Sequence, residues 1–84
     1  MSTKEKIESE IRELLAETFE LDRDLIVPEA KLVEDLDLDS IDAVEIVIVL
    51  EEKYNKKITE SQLRSIETIK DITDIIHSVV NEED

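Results

Sequence analysis

The sequence predicts an all-α protein, and three observations carry that expectation. Its 84 residues include no glycine and a single proline, Pro28, and no Asn-Gly or Asp-Gly pair offers a β-hairpin. Apolar residues recur at helical spacing in separate segments. Capping patterns, a Ser, Thr or Asp with an acid or amide three residues later, stand where those segments begin.

The first helix is expected over about residues 4–19. Ser2-Thr3-Lys4-Glu5 fits a capping box with Ser2 as N-cap, and Ile7, Ile11, Leu14, Leu15 and Phe19 form one apolar stripe. No glycine stops it, so the Asp22/Asp24 region is assigned the stop. Residues 20–38 lack a sustained period. Leu21, Leu25, Ile26, Val27, Leu32, Val33, Leu36 and Leu38 scatter apolar anchors along them, so this long connection should be pinned to the core. A helical turn near 22–26 or 30–36 fits the pattern.

The second helix begins at Asp39 or Ser40 and ends near Tyr54-Asn55, where Asn55 takes the left-handed cap usually supplied by glycine. It has two apolar faces. Ala43, Ile46, Val47, Leu50 and Tyr54 form the natural core side. Ile41, Val44 and Ile48 lie on the other side with Glu45 and Glu52, either as a partner surface or packed beneath the connection. Thr59-Glu60-Ser61-Gln62 opens a short helix over about 60–65. Thr68 with Asp71 opens the last one, striped by Ile69, Ile72, Ile76, Val79 and Val80 with Ile75 at its edge. The residues after Val80, Asn81-Glu82-Glu83-Asp84, read as a frayed acidic tail.

One domain is expected over residues 1–84. The chain has no cysteine and only two aromatic residues, Phe19 and Tyr54, so aliphatic packing must hold it together. Ten basic against 24 acidic residues leave a net charge of −14, which opposes nucleic acid and favours basic protein surfaces. The charge is uneven: no Lys or Arg falls between Leu32 and Glu52, where eight carboxylates do. With no apolar leader, and Ile46 to Leu50 as the longest apolar run, a cytoplasmic protein without membrane insertion is expected.

Asp35-x-Asp37-x-Asp39 imitates the start of a calcium loop. The required glycine and bidentate glutamate fall on Ser40 and Ile46, so no specific metal site is assigned, only weak divalent-ion binding. His77, the single histidine, has no glycine-rich oxyanion loop to work with, and no catalytic residue is assigned. Ser40 remains. With Asp39 as N-cap and Asp42 at the third helical position, its hydroxyl is left free on the first turn, where helix N–H groups favour a phosphate. The surrounding aspartates would repel a diffusing phosphate but not one held by a covalent bond.

These residues resemble the acyl carrier protein family. The likeness runs through Val33-Glu34-Asp35-Leu36, Asp39-Ser40-Ile41-Asp42, Val44-Glu45, Leu50-Glu51-Glu52, Ile58, Ile66 and Thr68-Ile69. It implies a four-helix bundle of three longer helices and one short, with a long first loop. Ser40 would carry 4'-phosphopantetheine, placed there from coenzyme A by a magnesium-dependent phosphopantetheinyl transferase. Asp39, Ile41, Asp42, Val44, Glu45, Ile48, Glu51 and Glu52 would meet basic patches on acyl-loading and acyl-processing enzymes of fatty acid, lipid or polyketide biosynthesis. The carrier would be a monomer without catalysis of its own, and acyl chains would slip between its helices. An amino-acid carrier of D-alanyl or peptidyl type, or an unmodified acidic adaptor, are the competing readings. In one respect the chain departs from the family's usual Leu-Gly-x-Asp-Ser: it has Leu36-Asp37-Leu38-Asp39-Ser40, with aspartate where glycine gives easy access to positive φ. It also has isoleucine at 41 in place of the more usual leucine. Both departures hint at a specialised pathway.

Overall fold

A computed structural model describes residues 3–81; the Ser2 cap and the tail 82–84 lie outside the described residues. The elements run α1 (Thr3–Thr18), a 3-10 turn (Arg23–Leu25), α2 (Ser40–Tyr54), α3 (Glu60–Arg64) and α4 (Ile69–Asn81). No strand forms among the described residues. A lone antiparallel bridge, Lys31 to Thr68, is the sole β pairing there. Asn81 closes α4 rather than starting the tail.

Each of the three longer helices points an apolar stripe inward. Ile7, Ile11 and Leu15 of α1 meet Ile69, Ile72 and Ile76 of α4 and Ile46 and Leu50 of α2 in one apolar core. Leu14, Phe19, Ala43 and Tyr54 pack against its margin. Thr73 is fully buried in the stripe of α4; its hydroxyl donates to the Ile69 carbonyl at 3.2 Å, which removes the cost of an unpaired buried group.

The first connection is pinned by hydrogen bonds as well as by apolar side chains. The N–H groups of Ile69 and Lys70, at the start of α4, donate to the carbonyls of Ala30 and Pro28 at 3.1 and 2.9 Å. Donors that helix geometry leaves unpaired thus hold the loop in place. Ile26, Ala30, Leu32, Leu36 and Leu38 are buried, whereas Leu25, Val27 and Val33 face outward. The 3-10 turn occupies the first of the two expected positions, clamped by Arg12, whose guanidinium donates twice to the Arg23 carbonyl, and by the Arg23–Glu13 pair.

The stop of α1 differs from expectation. The helix ends at Thr18 and the chain turns at Glu20, whose φ of 55° is left-handed; Asp22 instead caps the 3-10 turn by accepting from the Asp24 N–H at 2.9 Å. With no glycine to supply positive φ, Glu20, Asp37 and Asn55 all adopt it, at 55°, 56° and 55°. Asp37 does so between Leu36 and Leu38, both buried, and so turns the chain towards α2.

Candidate functional site

Asp39 and Asp42 fix where α2 begins. The Asp39 carboxylate accepts from the Asp42 N–H at 3.0 Å, and the Asp42 carboxylate accepts from the Asp39 N–H at 3.1 Å. This reciprocal box places Ser40 at the first helical residue, exposed. Its hydroxyl has no hydrogen-bond partner among the described residues, because Asp39 has already taken the capping role.

Ser40 stands on the rim of a groove of about 560 Å³ between the first loop, α2 and α3. Its apolar walls come from Leu32 and Val33 of the loop, Ala43 and Val44 of α2, and Leu63 and Ile66 at α3. Lys31 and Arg64 also border it, but each is paired, Lys31 with Glu34 at 3.4 Å and Arg64 with Glu60. An apolar trough opening at an unpartnered hydroxyl fits a slender, flexible group tethered to that oxygen. The trough was not legible in the sequence. Leu63 lies in α3 and Ile66 just past its end, but nothing local says that these two meet Val33 and Val44.

The outer face of α2 is open. Ile41, Val44 and Ile48 are 75%, 41% and 49% exposed, so they do not pack beneath the connection. Glu45 and Glu52 are exposed beside them, and no lysine or arginine lies in α2 before Lys53. Glu51 is different. It is half-buried, and its carboxylate accepts from the Ile58 N–H at 2.8 Å across the α2–α3 turn.

Among the described residues no three His, Cys, Asp or Glu side chains gather as a metal site. Asp35 and Asp39 of the calcium-like run, and Asp42 just beyond it, are each turned onto a backbone N–H instead. His77 lies on α4 and lines no part of the groove. No helix among the described residues is long and apolar enough to cross a membrane.

Known proteins share this sequence pattern and this fold. A family model described as "phosphopantetheine attachment site" matches residues 9–76. The acyl carrier protein of Coprothermobacter proteolyticus is 37% identical over 75 residues, covering 89% of this chain and 92% of that one. Acyl carrier protein 2 of Ralstonia nicotianae is 37% identical over 78 residues, covering 93% and 96%. The crystal structure of an acyl carrier protein from Thermotoga maritima superposes with a TM-score of 0.85 at 26% identity, covering 96% of this chain and 94% of that one.

Proposed function

This chain belongs to the acyl carrier protein family, whose members hold a covalent 4'-phosphopantetheine and catalyse nothing themselves, and on that premise we propose that Ser40 is its attachment point. The carrying observation is the free Ser40 hydroxyl at the mouth of the groove. Ser40 Oγ gives up its proton and bonds to the pantetheine-side phosphorus of coenzyme A, whose diphosphate P–O bond breaks to release adenosine 3',5'-bisphosphate, so that Oγ becomes the ester oxygen of a phosphodiester. The Asp42 and Ala43 N–H groups are taken by Asp39, so the Ser40 and Ile41 N–H groups are the first-turn donors left for that anion, and the helix dipole favours it there. The arm supplies a terminal thiol, which this cysteine-free chain lacks, and cargo rides on it as a thioester.

The other residues position and address. The capping box holds Ser40 outward. The groove walls shelter the apolar part of arm and cargo from water, at roughly 25 cal/mol per Å² of apolar surface covered. The outer face of α2 meets partners: Ile41, Val44 and Ile48 supply apolar contact, and Asp39, Asp42, Glu45 and Glu52 supply charge complementary to basic patches. The partners are a phosphopantetheinyl transferase and the acyl-loading and acyl-processing enzymes of fatty acid, lipid or polyketide synthesis. Tethering raises the cargo's effective concentration at each of them.

The test is intact-mass measurement after incubation with coenzyme A and a broad-specificity transferase. One 4'-phosphopantetheine is expected on the parent chain and none on Ser40→Ala. A chain that gains no mass is an unmodified adaptor, and a gain that survives Ser40→Ala moves the site. Loading the product with acyl or aminoacyl ligases then separates acyl from D-alanyl or peptidyl cargo.

A further inference from the structure

Glu51 falls at a family docking position by resemblance, yet its carboxylate is engaged within the fold. Its carbonyl accepts the N–H groups of Asn55 and Lys56, the latter at 3.1 Å, and its carboxylate accepts that of Ile58 at 2.8 Å. One residue therefore gathers three of the four N–H groups from Asn55 to Ile58. Ile58 in turn packs against the core and immediately precedes Thr59, the N-cap of α3.

This matters because α3 has little else to hold it. It is five residues long, far below the length at which a helix is stable alone, and none of its residues is buried. It is therefore placed by the chain at its two ends. At the far end Ile66 packs on the core and the Leu32 N–H donates to the Glu67 carbonyl at 2.9 Å. At the near end the tie is Glu51 to Ile58. Between them lie Leu63 and Arg64, which border the groove beside Ser40.

We propose that Glu51 is a positioning residue for the Ser40 groove, a latch that seats α3 as the groove's outer wall, rather than a docking contact equivalent to Glu52. The proposal rests on the carrier reading in one respect only, that the groove shelters cargo. A hydrogen bond to an ionised acceptor is among the stronger single contacts in a fold, and here it secures a segment that packing leaves loose. Gln at 51 keeps an acceptor oxygen at the same reach; Ala does not.

The experiment compares parent, Glu51→Ala, Glu51→Gln and, as an exposed carboxylate on α1, Glu17→Ala, all as full-length holo protein. Native-state amide exchange reads the latch directly. In Glu51→Ala the amides of Ile58 and Leu63 should exchange about tenfold faster. Those of Ile11 and Ile76 in the core should stay at parent rates, and Glu51→Gln should return Ile58 and Leu63 close to parent. Unchanged exchange at Ile58 and Leu63 in Glu51→Ala overturns the proposal. So does an equal acceleration at Ile11 and Ile76, which marks general destabilisation, or a Glu51→Gln as fast as Glu51→Ala. Hydroxylamine cleavage of an octanoyl thioester on the same proteins reads the groove. Cleavage should be severalfold faster in Glu51→Ala and at the parent rate in Glu51→Gln and Glu17→Ala; no acceleration in Glu51→Ala overturns the groove half of the proposal. If the parent's thioester is cleaved as fast as free octanoyl-pantetheine, the sheltering function fails, while amide exchange still decides whether Glu51 seats α3.

Discussion

Glycine at position 20 should stabilise this protein, although glycine is normally a destabilising replacement. Glu20 sits at φ 55°, just past the end of α1, with its side chain in solvent. A left-handed conformation costs an L-residue about 1–2 kcal/mol, while glycine gives back about 0.5–1 kcal/mol through the greater freedom of its unfolded chain. The difference favours Glu20→Gly by roughly 0.5–1 kcal/mol, or about 2–8 °C in Tm for a domain of this size. Part of any gain comes from removing a negative charge near the negative end of the α1 dipole, a few tenths of a kcal/mol. Glu20→Gln isolates that part, because it keeps the Cβ and loses the charge. Thermal unfolding followed by far-UV circular dichroism, with urea midpoints as a check, should rank Glu20→Gly above Glu20→Gln above the parent. Asp37→Gly and Asn55→Gly should gain less, since short polar side chains tolerate the left-handed region better. A Tm for Glu20→Gly no higher than that of Glu20→Gln would refute the strain assignment.

Three other outcomes are expected. Ile11→Ala empties a site with no exposed surface where α1 meets α4, and should lower the unfolding free energy by about 3 kcal/mol in urea titration. Tyr54→Phe removes the half-buried hydroxyl that donates to Glu10 at 2.5 Å and joins α2 to α1, at a loss of about 1 kcal/mol. Burial, with Glu10 beside it, pushes the phenol well above the ordinary value of 10.0, so ultraviolet titration of the parent should show no ionisation near that pH. Burial raises the Asp71 carboxyl, but the N–H groups of Glu67 and Thr68, the Thr68 hydroxyl and Lys70 outweigh it and hold the group below 3.8. Its contribution is therefore complete above 3.8 and is lost as pH falls through the lower folded value. Asp71→Asn should flatten the acid limb of the stability curve in that window, and an unchanged limb would discount the cap.

The helix starts were legible because they are local. Asp39 with Asp42, Thr59 with Gln62, and Thr68 with Asp71 each close their bonds within four residues, so pattern and structure coincide. Asn55 announced the end of α2 for the same reason, asparagine being a familiar left-handed residue. Glu20 announced nothing, since glutamate has no preference for that region, and the stop of α1 was misplaced onto Asp22/Asp24. Within residues 20–38 the sequence named apolar anchors without sorting them. Leu25 and Val33 face water while Ala30, never a candidate, is buried. Burial along that stretch is decided by bonds to residues about forty positions away, from Ile69 and Lys70 to Ala30 and Pro28, and no periodicity reports them.

The acidity around Ser40 has a second explanation besides partner attraction. Without glycine, every helix start and reversed turn in that region must be closed by a side chain, and short carboxylates do so. Asp35 accepts from the Lys31 N–H at 2.8 Å, Asp39 and Asp42 cap each other's backbone, and Asp37 turns the chain. Glu51 holds the next turn and Glu34 pairs with Lys31. Five of the eight carboxylates between Leu32 and Glu52 thus make structural contacts and Asp37 serves through its backbone, which leaves Asp37, Glu45 and Glu52 as the three without a side-chain hydrogen bond or ion pair among the described residues. All eight still contribute to the long-range field that draws a basic partner, because capping an N–H does not neutralise a carboxylate. The two roles separate by salt. Long-range attraction fades over a Debye length of about 8 Å at 0.15 M, whereas short hydrogen bonds to backbone N–H groups are far less screened. Charge reversal at Glu45 therefore acts on partner association and leaves the fold alone, while loss of Asp39 also unseats the start of the helix that presents Ser40.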